Sequence, residues 1–156
     1  MGEVTHEQAN LMLRLYELRR EPRLREAREW FVGKFHANSL DEVMKNYPPG
    51  SEANASLRMT MSYWEMVASI VNRGLIDEEF FFENSGEQWA IWDQIKHIMP
   101  AWREAFKNPH LFENLEEHVK RYEDWREKRA PGTNATIRKL LEQMRQAQMQ
   151  AKAASD

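Results

Sequence analysis

Apolar side chains recur along this chain at helical spacing, and no stretch alternates as a strand would. Leu11, Leu15 and Leu18 share one face, widened by Met12 and Tyr16. The Thr5-His6-Glu7-Gln8 run is a capping box, so a helix is expected from there to about Arg20. Pro22 suits a first helical position, and the next helix, to about Phe35, buries Leu24, Ala27, Phe31 and Phe35. A second capping box at Ser39–Glu42 starts a short helix ending near Tyr47, before the breaker Pro48-Pro49-Gly50-Ser51.

The pattern is richest at 52–73. Leu57, Met61, Trp64, Ala68 and Val71 form a narrow stripe, and Met59, Tyr63, Met66, Val67 and Ile70 widen the apolar arc to about 220°. A helix so apolar must be covered on several sides, which makes it the centre of the core. Gly74 then occupies the position of a C-terminal cap, with Leu75 expected to supply its hydrophobic contact.

Asp77 caps a short turn carrying Phe80, Phe81 and Phe82. All three rings cannot point inward from one turn, so at least one is expected to reach a partner or a neighbouring groove. Ser85–Gln88 is read as a third capping box, opening a helix to about Lys107 with Trp92, Ile95, Met99, Trp102 and Phe106 on one face. That unbroken stripe favours a kink at Pro100 over two separate helices. Asn108-Pro109 is read as the start of a helix to about Arg129. After the Pro131-Gly132 break, a last helix is expected from about Ala135 to Ala153, with Ser155 and Asp156 fraying. Its stripe of Ile137, Leu140, Met144, Ala147 and Ala151 has heptad spacing.

The expected fold is all-α: an irregular helical bundle of five to six long helices around the helix at 52–73. The 156 residues read as one domain, with 133–156 a C-terminal helix able to extend as an arm. Composition agrees with this. Six Trp and nine Met stand against only six Gly and six Pro, too few turn-formers for a β-sandwich. The absence of Cys excludes disulfides and cysteine-based zinc sites.

The net charge of −3 lacks the basic surplus of a nucleic-acid binder, so no nucleic-acid partner is expected. The charge is nevertheless uneven. Residues 76–95 hold six acids and no Lys or Arg, whereas 118–145 hold eight bases and four acids. Solvated helix faces account for both; complementary surfaces at a subunit interface are the sharper reading. Polar residues at 2–10 do not resemble a signal peptide, and no run is long enough to span a membrane. A bacterial, cytoplasmic protein is the simplest expectation.

Candidate chemistry is sparse. A ferritin-like di-metal site needs Glu-x-x-His pairs on two helices, and only Glu3-x-x-His6 fits, so no metal or cofactor is expected. No Gly-x-Ser-x-Gly elbow and no glycine-rich phosphate loop occurs. Glu65 borders the apolar arc of the central helix and is expected to pair with an Arg or Lys on another helix, Arg103 first. Trp64, Glu65, His97 and Arg103 are therefore the ligand-binding candidates. Trp64, Trp92, Trp102 and Trp125 read as core, while Trp89 lies roughly 90° from the apolar centre of its helix. Trp89 is thus read as a partly exposed contact or interface anchor. Phe80, Phe81, Phe82, Trp89, Ile137, Leu140 and Met144 are the interface candidates.

Tyr63-Trp64-Glu65-Met66-Val67-Ala68, then Gly74-Leu75-Ile76-Asp77, then Trp92, Ile98 and Arg103, resemble a bacterial domain-of-unknown-function family of small helical proteins, over about residues 55–125. Some members of that family resemble membrane-tethered proteins with an N-terminal span; no such span is expected here. The resemblance implies a helical fold and carries no catalytic residue. Two functions follow as expectations. The first is a non-enzymatic interaction or scaffold protein, a homodimer or the partner of another protein. The alternative is a ligand-binding or catalytic bundle with a pocket near Glu65, Trp64, His97 and Arg103.

Overall fold

The first five helices begin where a side chain satisfies backbone N–H groups that have no partner within the helix. The computed structural model describes residues 2–155, and nine α-helices and no strand occur among them. These are α1 (His6–Arg19), α2 (Pro22–Lys34), α3 (Leu40–Asn46), α4 (Glu52–Asn72), α5 (Glu78–Asn84), α6 (Glu87–Ile95), α7 (Met99–Ala105), α8 (Glu113–Arg129) and α9 (Thr133–Ser155). Thr5, Ser39, Ser51 and Asp77 each accept from a backbone N–H in the first turn of α1, α3, α4 and α5. Glu21 does the same for α2, and its bonds to the N–H groups of Leu24 and Arg23 hold its carboxyl below the usual range.

The chain divides into two compact units, residues 1–119 and 120–156, with the division inside α8. In the first unit α4 supplies the core with Leu57, Thr60, Met61, Tyr63, Trp64, Val67, Ala68 and Val71. α2 packs most extensively against it, burying Leu24, Ala27 and Phe31, as its period requires. α4 ends at Gly74, whose φ of +75° lies in the left-handed region that glycine occupies without strain. The Gly74 N–H then reaches the Val71 carbonyl and the Leu75 N–H the Ile70 carbonyl, completing a Schellman cap. The Leu75 side chain, expected to supply the hydrophobic contact of this cap, is more than half exposed.

Four local expectations are corrected. Gln8 does not reach back to Thr5; its Oε1 accepts from Asp77 N at 3.0 Å and ties α1 to the start of α5. Ser85 and Gln88 bond to each other, and α6 starts at Glu87 without a side-chain cap. Pro100 does not kink one long helix. The chain leaves the α-helix after Ile95, crosses a turn with i→i−3 bonds at Ile98 and Met99, and restarts as α7 with the proline in its first turn. Proline has no N–H for the carbonyl four residues back and its ring collides with it, so the ladder breaks there. Phe106, now at the end of a seven-residue helix, is exposed.

The fourth concerns α8. It begins at Glu113 rather than at Pro109, after a segment in which Lys107 and Phe112 both adopt positive φ. In the second unit, Asn134 in the first turn of α9 is buried. It donates to the Glu123 carbonyl and accepts from Arg126, fastening the helix to α8. α9 ends at Ser155, and Asp156 lies outside the described residues.

Candidate functional site

Glu65 acts as the missing cap of α8. Its carboxylate accepts from Leu115 N at 2.8 Å, Asn114 N at 3.2 Å and Asn114 Nδ2 at 3.0 Å. The expected pairing with Arg103 is replaced by this role, because two backbone N–H groups at a helix start satisfy a carboxylate as well as a cation does. Arg103 grips the same segment from α7: Nε donates to the Leu111 carbonyl at 2.9 Å and the guanidinium pairs with Glu116 at 2.8 Å. His97 is elsewhere, exposed, with Nε2 donating to the Ala37 carbonyl at 2.8 Å. Glu65 and Arg103 thus meet around the start of α8, whereas Trp64 faces a different place.

That place is a cavity of about 250 Å³. One wall comes from α1 (Met12, Leu13, Leu15, Tyr16, Arg19) and another from α4 (Tyr63, Trp64, Val67). Phe81, Asn84 and Ser85, at the end of α5, close the third side. The Tyr63 hydroxyl donates to the Leu15 carbonyl at 2.6 Å. Burial pushes its pKa up to about 12, outweighing the nearby guanidiniums of Arg19 and Arg28, so it stays a neutral donor.

A charge cluster stands beside this cavity. Arg28 holds Glu87 with both prongs, Nε to Oε1 at 2.6 Å and Nη2 to Oε2 at 2.5 Å, and its Nη1 donates to the Arg19 carbonyl at 2.8 Å. Trp64 Nε1 donates to the same carboxylate at 3.3 Å. The Arg19 guanidinium approaches Glu87 at 3.6 Å and lies 5.8 Å from the ring centroids of both Tyr16 and Trp64. None of Arg19, Arg28 and Glu87 stands out in the sequence. Glu87 reads as one acid in a helix's first turn, and its partners lie 59 and 68 positions away.

Three interface candidates are corrected. Trp89 is 1% exposed, and Phe81 and Phe82 are both buried in T-shaped contact with His118, ring centroids 5.4 and 5.3 Å away. α6 buries Gln88, Trp89, Ile91, Trp92, Gln94 and Ile95, so neighbours surround it and an offset from the apolar centre does not mean exposure. Phe80 is half-buried, as is Ile137, while Leu140 and Met144 are exposed. Among the described residues, no group of three or more His, Cys, Asp or Glu is placed to hold a metal ion, and no helix is long and apolar enough to cross a membrane.

The fold and site together define a helical protein with one face of its core hollowed beside an arginine-carboxylate cluster. A family model described as a domain of unknown function (DUF4760) matches residues 4–122, and the chain belongs to that family. The match reaches well N-terminal of the segment carrying the resemblance, taking in α1 and α2 and with them Arg19 and Arg28. No curated protein and no solved structure matches the chain.

Proposed function

We propose that the protein is a non-enzymatic interaction module of the bacterial cytoplasm that pairs with a second copy of itself through α9. The observation that carries this reading is the apolar stripe on that helix. Leu140 and Met144 are each more than half exposed on a 23-residue helix. Ile137, Leu140, Met144, Ala147 and Ala151 follow the alternating three-four spacing by which two helices bury a common seam. Glu65 and Arg103, the best candidates for chemistry in the sequence, are both occupied in holding the start of α8. That also favours a binding role over a catalytic one.

Light scattering on the full chain tests this. The expected mass is twice the 18.6 kDa of one chain, falling to a single chain in a Leu140→Glu/Met144→Glu variant. Both positions are exposed and Glu is a good helix former, so the variant keeps its helicity. A wild-type chain that stays monomeric at tens of micromolar, or a variant that stays dimeric, refutes the proposal.

A further inference from the structure

The cavity on α1, α4 and α5 is apolar in its walls but not in its charge. Its polar lining groups are largely engaged within the protein. The Tyr63 hydroxyl donates to Leu15, Trp64 Nε1 to Glu87, Asn84 Nδ2 to Phe80 and Ser85 Oγ to Gln88. Arg19 is held more loosely. Its 3.6 Å approach to Glu87 is longer than a hydrogen bond, because Arg28 already takes both carboxylate oxygens. Two guanidiniums thus share one carboxylate, and the surplus positive charge stands at the cavity wall, where apolar neighbours screen it less than water does.

We propose that this cavity binds a small amphipathic anion: a monocarboxylate on an apolar body, its head paired with Arg19 and its tail against Val67, Leu15 and Phe81. The planar guanidinium fork matches a carboxylate. The volume sets the size of the body. A dry apolar cavity of about 150 Å³ holds benzene, so 250 Å³ accommodates roughly ten heavy atoms. The site does not depend on how copies of the chain associate.

The test is calorimetric titration of the full chain with decanoate and with decanol, which shares the tail but has no charge. Decanoate is expected to bind saturably at one site per chain, at least tenfold more tightly than decanol, and to raise the melting temperature. Arg19→Met is expected to weaken decanoate tenfold or more and leave decanol unchanged, while Arg19→Lys keeps part of the decanoate affinity. In the nitrogen-correlated NMR spectrum the Trp64 indole N–H, on the cavity wall, moves with decanoate and that of Trp125 does not. Equal affinities for the two ligands, an unchanged Arg19→Met variant, a stationary Trp64 signal, or equal loss of both ligands in both variants overturns the proposal.

Discussion

Removing the Glu65 side chain is expected to unseat the start of α8. In Glu65→Ala, three hydrogen bonds disappear together: those from Leu115 N, Asn114 N and Asn114 Nδ2. Their costs differ with burial. Leu115 is fully buried, so its N–H is left without a partner, at about 1–3 kcal/mol. Asn114 is half-buried, and water can replace part of what its N–H and amide lose, so these add about 1 kcal/mol. The total is about 3 kcal/mol, somewhat above an ordinary N-cap deletion because the lost acceptor is charged. For a chain of this size that lowers the melting temperature by roughly 10 °C. Glu65→Gln keeps one acceptor oxygen and is expected to lose about half as much. Urea unfolding followed by tryptophan fluorescence measures both. A Glu65→Ala loss below about 0.5 kcal/mol, or a Gln variant weaker than the Ala variant, refutes the capping argument.

Two further outcomes follow from the cavity and its charge cluster. Tyr63 ionises near pH 12 in the folded state, against about 10 when unfolded, so the unfolded chain loses its proton first as the pH rises. The stability this contributes is full below pH 10 and is lost between about 10 and 12; Tyr63→Phe should abolish that step in chemical denaturation across this range. Glu87→Gln leaves Arg28, whose side chain is 12% exposed, without its counter-charge and should cost about 3 kcal/mol in urea unfolding. Arg19→Met, which removes a 3.6 Å approach to Glu87 and two ring contacts at 5.8 Å by a side chain 25% exposed, should cost about 1 kcal/mol, and a reversal of that order would refute the assignment of the pair.

Period and punctuation along the chain are local properties, and where the helices depend on them they are legible. The stripe of α4, the proline opening α2, the caps at Thr5, Ser39, Ser51 and Asp77 and the glycine ending α4 all join residues no more than five positions apart. Hydrogen bonds and packing over that distance are decided by the sequence alone. Legibility fails where the partner is remote. The α8 start looks local, with Asn108-Pro109 in the right place, but its cap comes from Glu65, 49 and 50 positions back, and the helix waits until Glu113 to begin. Trp89 fails for a related reason. Its angle on the helix is readable, yet whether that angle meets solvent depends on which other helices lie there.

Spacing along the chain was enough to show that it is helical, that the 52–73 segment lies in the core, and which family it resembles. Those follow from spacing, capping and composition, which act over a few residues. Which charges meet depends instead on how remote segments pack. Glu87 finds Arg28 and Arg19, Glu65 finds a helix start instead of a cation, and a cavity opens beside Trp64 with one guanidinium in surplus. Partner choice among charges is a matter of distance in space, and twenty-two bases and twenty-five acids offer too many pairings for their order along the chain to settle it.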